Sequence, residues 1–328
     1  MIFHQYGVVI PCYNSEATII QTLTSVLNQS FPPHHVVVVN DGSSDQTAKF
    51  VTEFIDKFPN ATLISTPNKG LSAARNLGLT HLKDCEFVAF VDSDDIWHES
   101  KMELQINFLE NHNEVVGVSC DFINFSEDQR VISSTKHLFF GTSQRTILLQ
   151  AAKIWGSASA VVVRREALTD FNLFDTNLKF AEDLDAWCKI RELGQWGFLP
   201  DRLVSIRTSP NSMQGQIRNN PSLYVESYDY ILRKWSHKIF PFELFLKRYD
   251  ALFFTMRVWG YSNWSKQLKA MGKNGSYSRI YPIMETLPKY LQQLFISLFG
   301  LSALVYRRTF RFLNWIEAIN KSGLRLKK

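Results

Sequence analysis

Four neighbouring positions, Asp92–Asp95, carry three carboxylates and are the clearest candidates for chemistry in this sequence. They follow the apolar run Phe87–Val91, which is typical of a buried strand in a parallel sheet. In open α/β sheets, ligands bind beyond the carboxyl ends of the strands. Carboxylates this close together resist ionisation unless a cation or hydrogen-bond donors compensate their charge, and oxygen ligands suit Mg²⁺ or Mn²⁺. The alternative is that the same acids cap a helix that begins near Trp97.

Polar residues follow a second predicted strand in the same way. The run Val36–Val39 ends in Asn40–Asp45, which is polar and contains a glycine. A third group of acids opens the predicted helix Ala181–Ile190, where the helix dipole favours negative charge. Tight turns alone do not require polar loops at two neighbouring strand ends, so the sequence predicts a binding site at this edge.

The elements that must position these residues alternate between strand and helix. Strands are predicted near residues 6–11, 36–39, 61–65, 87–91, 115–120, 158–163 and 199–207. Helices are predicted near residues 19–27, 47–57, 68–76, 99–110 and 181–190. The stretch 126–153 is weakly patterned and is expected to be a loop with a short helix. The alternating order predicts an α/β protein with a mostly parallel, doubly wound sheet.

The composition is that of a globular protein, with 45% hydrophobic and 20% charged residues. The 328 residues suffice for a large α/β domain, predicted at 1–212, and a mainly helical region, 213–328. The first residues lead directly into a strand, so no signal peptide is expected. The cysteines are dispersed and form no CxxC pair, which favours reduced thiols in a cytoplasmic protein over a disulfide framework or zinc site.

Charge is distributed unevenly along the chain. Residues 1–230 carry a net charge of −9, whereas residues 231–328 carry 18 basic and 4 acidic side chains. Such asymmetry predicts contact with an anionic surface, here a peripheral contact with an anionic membrane. The apolar run 294–306, followed by Arg307 and Arg308, is too short to span a bilayer and is either a buried helix or an interfacial one. Nucleic-acid binding is the remaining alternative, but no signature of such a fold is present, and no nucleic acid is expected as a partner.

Five segments, taken together, resemble the inverting family 2 glycosyltransferases, whose nucleotide-sugar-binding fold is called GT-A. The matching segments are Val9–Asn14, Val39–Asp45, Asn68–Asn76, Asp92–Asp95 and Ala181–Asp185. They occur in the family's order and spacing and cover about residues 6–212. The resemblance implies a GT-A type fold with a Rossmann-like, mostly parallel sheet flanked by helices.

The resemblance also implies where a nucleoside diphosphate sugar would bind. Residues that match Pro11, Tyr13, Asn14 and Asp41 line the nucleoside pocket in that family. Tyr13 would stack on the base, and Asp41 would accept the N3–H of uracil or thymine, which favours a UDP- or dTDP-linked donor. The alternative is that Asp41 and Gly42 form only a tight turn.

Further donor contacts are implied at Lys69, Arg75, Asp92 and Ser93. Lys69 and Arg75 would donate hydrogen bonds near the ribose or the phosphates, although Arg75 would equally serve to anchor its own helix. Asp92 would contact the ribose, with Ser93 beside it in the same motif.

The metal and the general base are implied by the same resemblance. Asp94 would contact Mn²⁺ or Mg²⁺ together with Asp92, and Asp95 would either support the site from behind or cap a helix. Asp183 matches the family's general base, which takes a proton from the acceptor hydroxyl. Glu182 would orient the acceptor or tune the base, and a helix cap is the alternative role for Asp183.

Two features depart from the family's pattern. Thr208 and Ser209 stand where family members often carry a histidine, so Arg207 and these hydroxyls remain as the contacts to phosphate. The sequence also lacks a QxxRW motif and a series of long apolar spans, which processive membrane synthases have.

Tryptophans in the first part of the chain are either a sugar platform or core residues. They are Trp155, Trp187 and Trp196.

The sequence therefore predicts a metal-dependent, inverting glycosyltransferase that makes single additions. The expected acceptor is a hydroxyl of a glycan or lipid-linked glycan in cell-surface polysaccharide biosynthesis. One alternative is a sugar nucleotidyltransferase, which needs a glycine-rich loop with an arginine near the first strand, and the segment Pro11–Asn14 is not such a loop. The other is a non-catalytic protein that retains the nucleotide-sugar pocket.

Overall fold

The structure is a computed structural model of the chain, and the residues described are 5–126, 131–134, 158–168, 171–209 and 222–235. Two compact units divide the chain, with the described residues up to 209 in the first and 222–235 in the second. The predicted domain limits, 1–212 and 213–328, stay predictions. Most of the predicted loop 126–153, Trp155 and the apolar run 294–306 lie outside the described residues.

Strands and helices alternate through the first part of the described chain, as predicted. The strands are β1 (Tyr6–Cys12), β2 (His35–Asp41), β3 (Ala61–Thr66), β4 (Phe87–Phe90), β5 (Ile96–Trp97), β6 (Val115–Phe125), β7 (Val131–Ser134), β8 (Val161–Arg164) and β9 (Gln195–Arg207). The helices are α1 (Ile19–Leu27), α2 (Thr47–Ile55), α3 (Leu71–Leu79), α4 (Lys101–Glu110), α5 (Glu182–Arg191) and α6 (Ser222–Lys234).

The strands of the described residues form one sheet in the order β3-β2-β1-β4-β8-β6-β9-β5, with β7 beside β6. Strands β3, β2, β1 and β4 are parallel neighbours, and β6 is parallel to β9. Because β8 is antiparallel to both β4 and β6, these two strands also run in one direction. Six of the nine strands therefore share a direction, and the prediction of a mostly parallel α/β sheet is confirmed.

The centre of this sheet is a hydrophobic core built from the predicted apolar runs. The side chains of Val36–Val39 in β2 and Val88–Phe90 in β4 are fully buried. Burial on both faces explains why these strands read as continuous apolar runs, without the alternation of a half-exposed strand. The rigid core brings the carboxyl ends of β1, β2 and β4 to one edge.

Two local predictions are wrong. The chain after the acids does not enter a helix near Trp97, because Ile96 and Trp97 pair with the end of β9 as β5, and α4 begins only at Lys101. The predicted strand 158–163 begins three residues late, since Ala158–Ala160 forms one turn of 3-10 helix. The first difference arises from pairing with a segment far away in sequence, which local patterns do not report.

Helix α6 is the described part of the second unit, and its helical state agrees with the predicted mainly helical C-terminal region. It ends with Arg233 and Lys234, cations that favour a helix C-terminus. Throughout the described ranges, none of the helices combines the length and apolar character needed to cross a bilayer. The four cysteines all fall within these ranges, and they are buried and form no disulfide.

Candidate active site

The acid loop, residues 92–95, leaves the carboxyl end of β4 at the sheet edge that the sequence predicts. The side chains of Asp92, Ser93 and Asp94 are partly exposed there, whereas Asp95 is buried. Ser93 contacts the first loop, because its hydroxyl lies 2.7 Å from the hydroxyl of Ser15. The loop therefore presents Asp92 and Asp94 outward and turns Asp95 into the protein.

Asp95 is a structural acid and not a helix cap. One carboxylate oxygen accepts the backbone N–H of Arg207 at 3.0 Å, and the other accepts the hydroxyl of Ser159 at 2.6 Å. Burial, followed by the charges of Asp94 and Asp92, raises the pKa of Asp95 well above its usual range. Because α4 begins only at Lys101, the cap role is excluded, and support of the site from behind stays a prediction.

Arg75 is the central cation of the site. It lies on α3, is 2% exposed, and donates one 2.6 Å hydrogen bond to Asp92 and another to Glu182. Its guanidinium also sits 5.1 Å from the centre of the Phe174 ring. Burial opposes its charge, but the carboxylates of Asp92 and Glu182 more than offset this, and the pKa of Arg75 is raised. Arg75 therefore joins the acid loop to the start of α5.

Asp183 lies in the first turn of α5, next to the glutamate that Arg75 holds. Ala181, which precedes the helix, has a left-handed backbone with φ of 58°, a conformation that costs a non-glycine residue about 1–2 kcal/mol. Burial and the neighbouring carboxylate of Glu182 raise the pKa of Asp183 to about 7, while Arg75 acts in the opposite direction. A carboxylate with this pKa is suited to accept a proton near neutral pH.

The acid loop also has the donor set expected for a hard cation. Burial and the charge of Asp92 raise the pKa of Asp94 to about 6. The charge of Arg207 acts in the opposite direction, but its guanidinium donates to the carbonyl of Asp94 and to Gln21. Among the described residues, no group of three or more His, Cys, Asp or Glu side chains is arranged to hold a metal ion. Mg²⁺ commonly uses only one or two carboxylates and completes its shell with water and phosphate, so Asp92 and Asp94 fit such an ion.

The polar loop after β2 is held against the turn that precedes α3. The carboxylate of Asp41 accepts the backbone N–H groups of Lys69 at 2.7 Å and Gly70 at 2.8 Å. Gly42 has φ of +74°, and a Cβ atom there would come within 2.6 Å of the backbone nitrogen of Asn68. Asp41 thus shapes this turn, and its oxygens retain further lone pairs for a base N–H. The side chain of Lys69 is exposed beside it.

The loop after β1 completes the predicted nucleoside side of the edge. Pro11 is buried at the end of β1, whereas Tyr13 is 52% exposed. Asn14 has φ of 48°, and its side-chain oxygen accepts the backbone N–H of Ser44 at 2.8 Å. The backbone amide of Asn14 donates to the hydroxyl of Ser43 at 3.0 Å. Asn14 therefore ties the first two loops together.

Arg207 closes the edge from the end of β9. Its guanidinium donates to the carbonyl of Asp94 at 3.1 Å and to Gln21 on α1 at 2.7 Å, and it packs over the ring of Phe125. The side chain is only partly buried, so N–H groups remain available at the edge. Arg207 therefore lies beside the acid loop, and its contact to phosphate stays a prediction.

One residue of the site was not anticipated from sequence, and one open alternative is decided by burial. Ser159 contacts both ends of the acid loop, although no motif marks it. For Trp187 and Trp196 the sequence left a sugar platform and a core role open, and they are 1% and 4% exposed and pack on each other. They lie on the inward faces of α5 and β9, so the alternative of a core role is the correct one.

A Rossmann-like sheet that carries an acidic loop at its carboxyl edge is the arrangement of GT-A type glycosyltransferases. The sequence profile described as Glycosyl transferase family 2 matches residues 7–171, which is half of the chain. This chain belongs to that family. The family membership that the five sequence segments indicated is therefore confirmed.

Individual relatives agree with the family. The chain is 30% identical over 201 residues to an uncharacterized glycosyltransferase of Rickettsia bellii, covering 61% of this chain and 28% of that protein. It is also similar to the Escherichia coli protein named UDP-Glc:alpha-D-GlcNAc-diphosphoundecaprenol beta-1,3-glucosyltransferase WfgD. The two are 39% identical over 107 residues, which cover 33% of this chain and 42% of that protein. The alignments thus span less than half of each relative.

A solved structure has the same fold. The crystal structure of Staphylococcus aureus TarS 1-349 in complex with UDP-GlcNAc superposes with a TM-score of 0.62 and 20% identity, covering 98% of this chain and 93% of that one.

Proposed function

We propose that this protein is a metal-dependent, inverting glycosyltransferase that moves a sugar from a nucleoside diphosphate to an acceptor hydroxyl. The observation that carries the proposal is the double ion pair of Arg75. Because Arg75 binds both Asp92 and Glu182, the acid loop and the start of α5 form one connected site. Donor-binding acids and a candidate base therefore meet at the sheet edge where α/β proteins bind ligands.

Asp183 is the general base of this proposal. Inversion requires the acceptor hydroxyl to attack from the face opposite the leaving nucleotide, and a base must take its proton. A pKa of about 7 leaves Asp183 largely ionised just above neutral pH and gives it useful basicity. Glu182, held by Arg75, fixes the first turn of α5 and contributes the charge that raises this pKa.

Asp94 and Asp92 would hold Mn²⁺ or Mg²⁺. When bound, such an ion neutralises charge that builds on the leaving diphosphate. The side chains contribute by placing two carboxylates, one of them with a raised pKa, where a cation relieves their repulsion. Arg207, which borders the loop, is positioned to donate to a phosphate oxygen, and Ser93 borders the same space.

The nucleoside side favours a uracil or thymine base, as UDP or dTDP. Tyr13 offers an exposed ring for stacking, and Asp41 offers acceptor oxygens held at a defined position by Lys69 and Gly70. Pro11 and Asn14 shape the loop on which Tyr13 stands. The name of the Escherichia coli relative contains a UDP-linked sugar, and TarS was crystallised in complex with UDP-GlcNAc, which together support UDP as the first candidate.

The acceptor is proposed to be a glycan or lipid-linked glycan in cell-surface polysaccharide biosynthesis. The name of the Escherichia coli relative includes a diphosphoundecaprenol-linked sugar, which supports a lipid-linked acceptor. The excess of basic residues in 231–328 suits peripheral contact with the inner face of the cell membrane, where such acceptors are built. The protein would therefore act in the cytoplasm or at that surface.

A donor screen tests this proposal directly. The protein is incubated with a panel of nucleotide sugars in Mn²⁺ or Mg²⁺, and hydrolysis or transfer is measured by release of the nucleoside diphosphate. We expect release from one or a few UDP- or dTDP-linked sugars and its loss in EDTA. Release that persists in EDTA would remove the metal from the proposal, and no release with any donor would contradict the enzymatic function itself.

A further inference from the structure

Ser159 is a buried serine outside the five segments that carry the family resemblance. It lies in the 3-10 turn Ala158–Ala160 and is 0% exposed. Its hydroxyl accepts the backbone N–H of Asp92 at 3.0 Å and donates to the carboxylate of Asp95 at 2.6 Å. Its carbonyl accepts the indole N–H of Trp97 at 2.9 Å. Ser159 therefore contacts the residues that begin, end and follow the acid loop.

The hydroxyl is chemically suited to these two contacts. It must accept from an amide and donate to a carboxylate at the same time, which a hydroxyl with one donor and two lone pairs does. Alanine offers neither function, and a thiol offers only weak versions of both. The complete burial of Ser159 means that water does not replace a missing partner without rearrangement of the loop.

The second oxygen of Asp95 extends the connection to β9. That oxygen accepts the backbone N–H of Arg207, so Ser159, Asp95 and Arg207 join three chain segments behind the acid loop. The loop is thus held at both ends, through the backbone amide of Asp92 and through the carboxylate of Asp95. Asp94 lies between these two fixed points, so its position follows from theirs.

We propose that Ser159 is a positioning residue for donor binding. By holding the amide of Asp92 and the carboxylate of Asp95, it sets where Asp92 and Asp94 face the diphosphate and its metal. This inference rests on the proposed function, in which those two acids bind the donor. Residues that orient ligand-binding groups typically change metal affinity or activity by about 10- to 100-fold when they are removed.

The test compares two buried serines in the full chain. In Ser159→Ala both contacts of the hydroxyl are lost. In the control, Ser119→Ala, a 1% exposed serine on β6 loses a 3.2 Å contact to the indole of Trp196. Binding of UDP and of dTDP is measured by calorimetry with and without Mn²⁺, and unfolding is followed in parallel.

We expect Ser159→Ala to weaken nucleotide binding in Mn²⁺ by about 10- to 100-fold. The concentration of Mn²⁺ for half-maximal activity and the KM for the donor should rise more than kcat falls. Ser119→Ala should lower the unfolding temperature without changing nucleotide affinity. If Ser159→Ala does not fold, Ser159→Cys takes its place and should show a smaller loss of the same kind.

Three outcomes would overturn the inference. Wild-type nucleotide affinity in the Ser159 variant would show that the loop is positioned without the hydroxyl. Equal losses of affinity in the Ser159 and Ser119 variants would indicate general softening of the fold. Failure of the wild-type protein to bind UDP or dTDP would contradict the proposed donor as well, and it is distinguishable because it is seen before any substitution.

Discussion

Arg75 donates a 2.6 Å hydrogen bond to Glu182 across 107 residues of sequence. The same guanidinium donates a second 2.6 Å hydrogen bond to Asp92, and within the described part of the chain its Nε atom has no partner. Without Arg75, the buried carboxylate of Glu182 and the partly buried one of Asp92 would both lose this counter-charge. These two ion pairs therefore link the stability of this region to the arrangement of Asp92 and Glu182, which belong to the proposed site.

Replacing Arg75 with methionine should destabilise the fold, because two carboxylates lose their buried counter-ion. Removing one partner of a buried ion pair costs about 3–5 kcal/mol, and we expect about 3 kcal/mol because Asp92 is partly exposed. Urea denaturation measures the change. Arg164→Met is the control, since Arg164 donates to the neutral carbonyls of Val115 and Leu109. A loss no greater than in this control would argue against the charge link.

Asp183→Asn should abolish base catalysis while preserving the shape of the site. The amide does not take a proton at neutral pH, so kcat should fall by about 10²- to 10⁴-fold. Nucleotide affinity, measured by calorimetry, should stay close to wild type because Asp183 is assigned to the acceptor side. Loss of nucleotide affinity in this variant would assign Asp183 to the donor pocket instead.

The dependence of activity on pH should report the pKa of Asp183. Below about pH 7 the carboxyl is protonated and does not accept a proton, so kcat/KM should rise about tenfold per pH unit and level off above about pH 7. Glu182→Gln removes a charge that raises this pKa, so the midpoint should move to lower pH. A flat profile, or a midpoint that Glu182→Gln leaves unchanged, would contradict the assignment.

Asp94→Asn should separate activity from stability. We expect activity in Mn²⁺ to fall by about 100-fold or more, because a direct ligand of the proposed metal is lost. The pKa of Asp94 in the folded state is raised to about 6, so above that pH its charge destabilises the metal-free fold. Below the lower pKa of the unfolded state, the carboxyl is protonated in both states and this destabilisation is absent. In EDTA the variant should therefore melt at a higher temperature than wild type at about pH 7.5, a gain that disappears near pH 4. A variant that keeps full activity would contradict the metal role.

The basic C-terminal region should bind anionic lipid. Each lysine or arginine near an anionic leaflet contributes about 1 kcal/mol, within a Debye length of about 8 Å at physiological salt. Arg307→Glu/Arg308→Glu reverses two of these charges, outside the described residues, and should reduce co-sedimentation with anionic liposomes at low salt. Lys49→Glu/Lys57→Glu on and just after α2 is the control with the same charge change. Equal binding by all three proteins would show that Arg307 and Arg308 do not carry the contact. Failure of the wild-type protein to bind anionic liposomes at low salt would point to an anionic acceptor or a partner protein instead of a membrane.

Much of the fold was predictable because its main signals are local. Valine runs such as Val36–Val39 mark buried parallel strands wherever they occur, and the helices between them follow from apolar spacing. The acids of the loop after β4 and at the start of α5 were found as motifs. Their common location followed from the rule that parallel strands end at one edge of the sheet.

The sequence by itself determined the fold class, the family and the identity of the candidate acids. Only the tertiary structure decided that Arg75 pairs with Asp92 and Glu182, that Asp95 turns inward to Ser159, and that Trp187 is buried. The physical reason is sequence distance: 107 residues separate Arg75 from Glu182, 64 separate Asp95 from Ser159 and 112 separate it from Arg207. Hydrogen bonds and burial depend on which groups are close in space. Sequence patterns that span only a few residues do not report contacts between such distant positions.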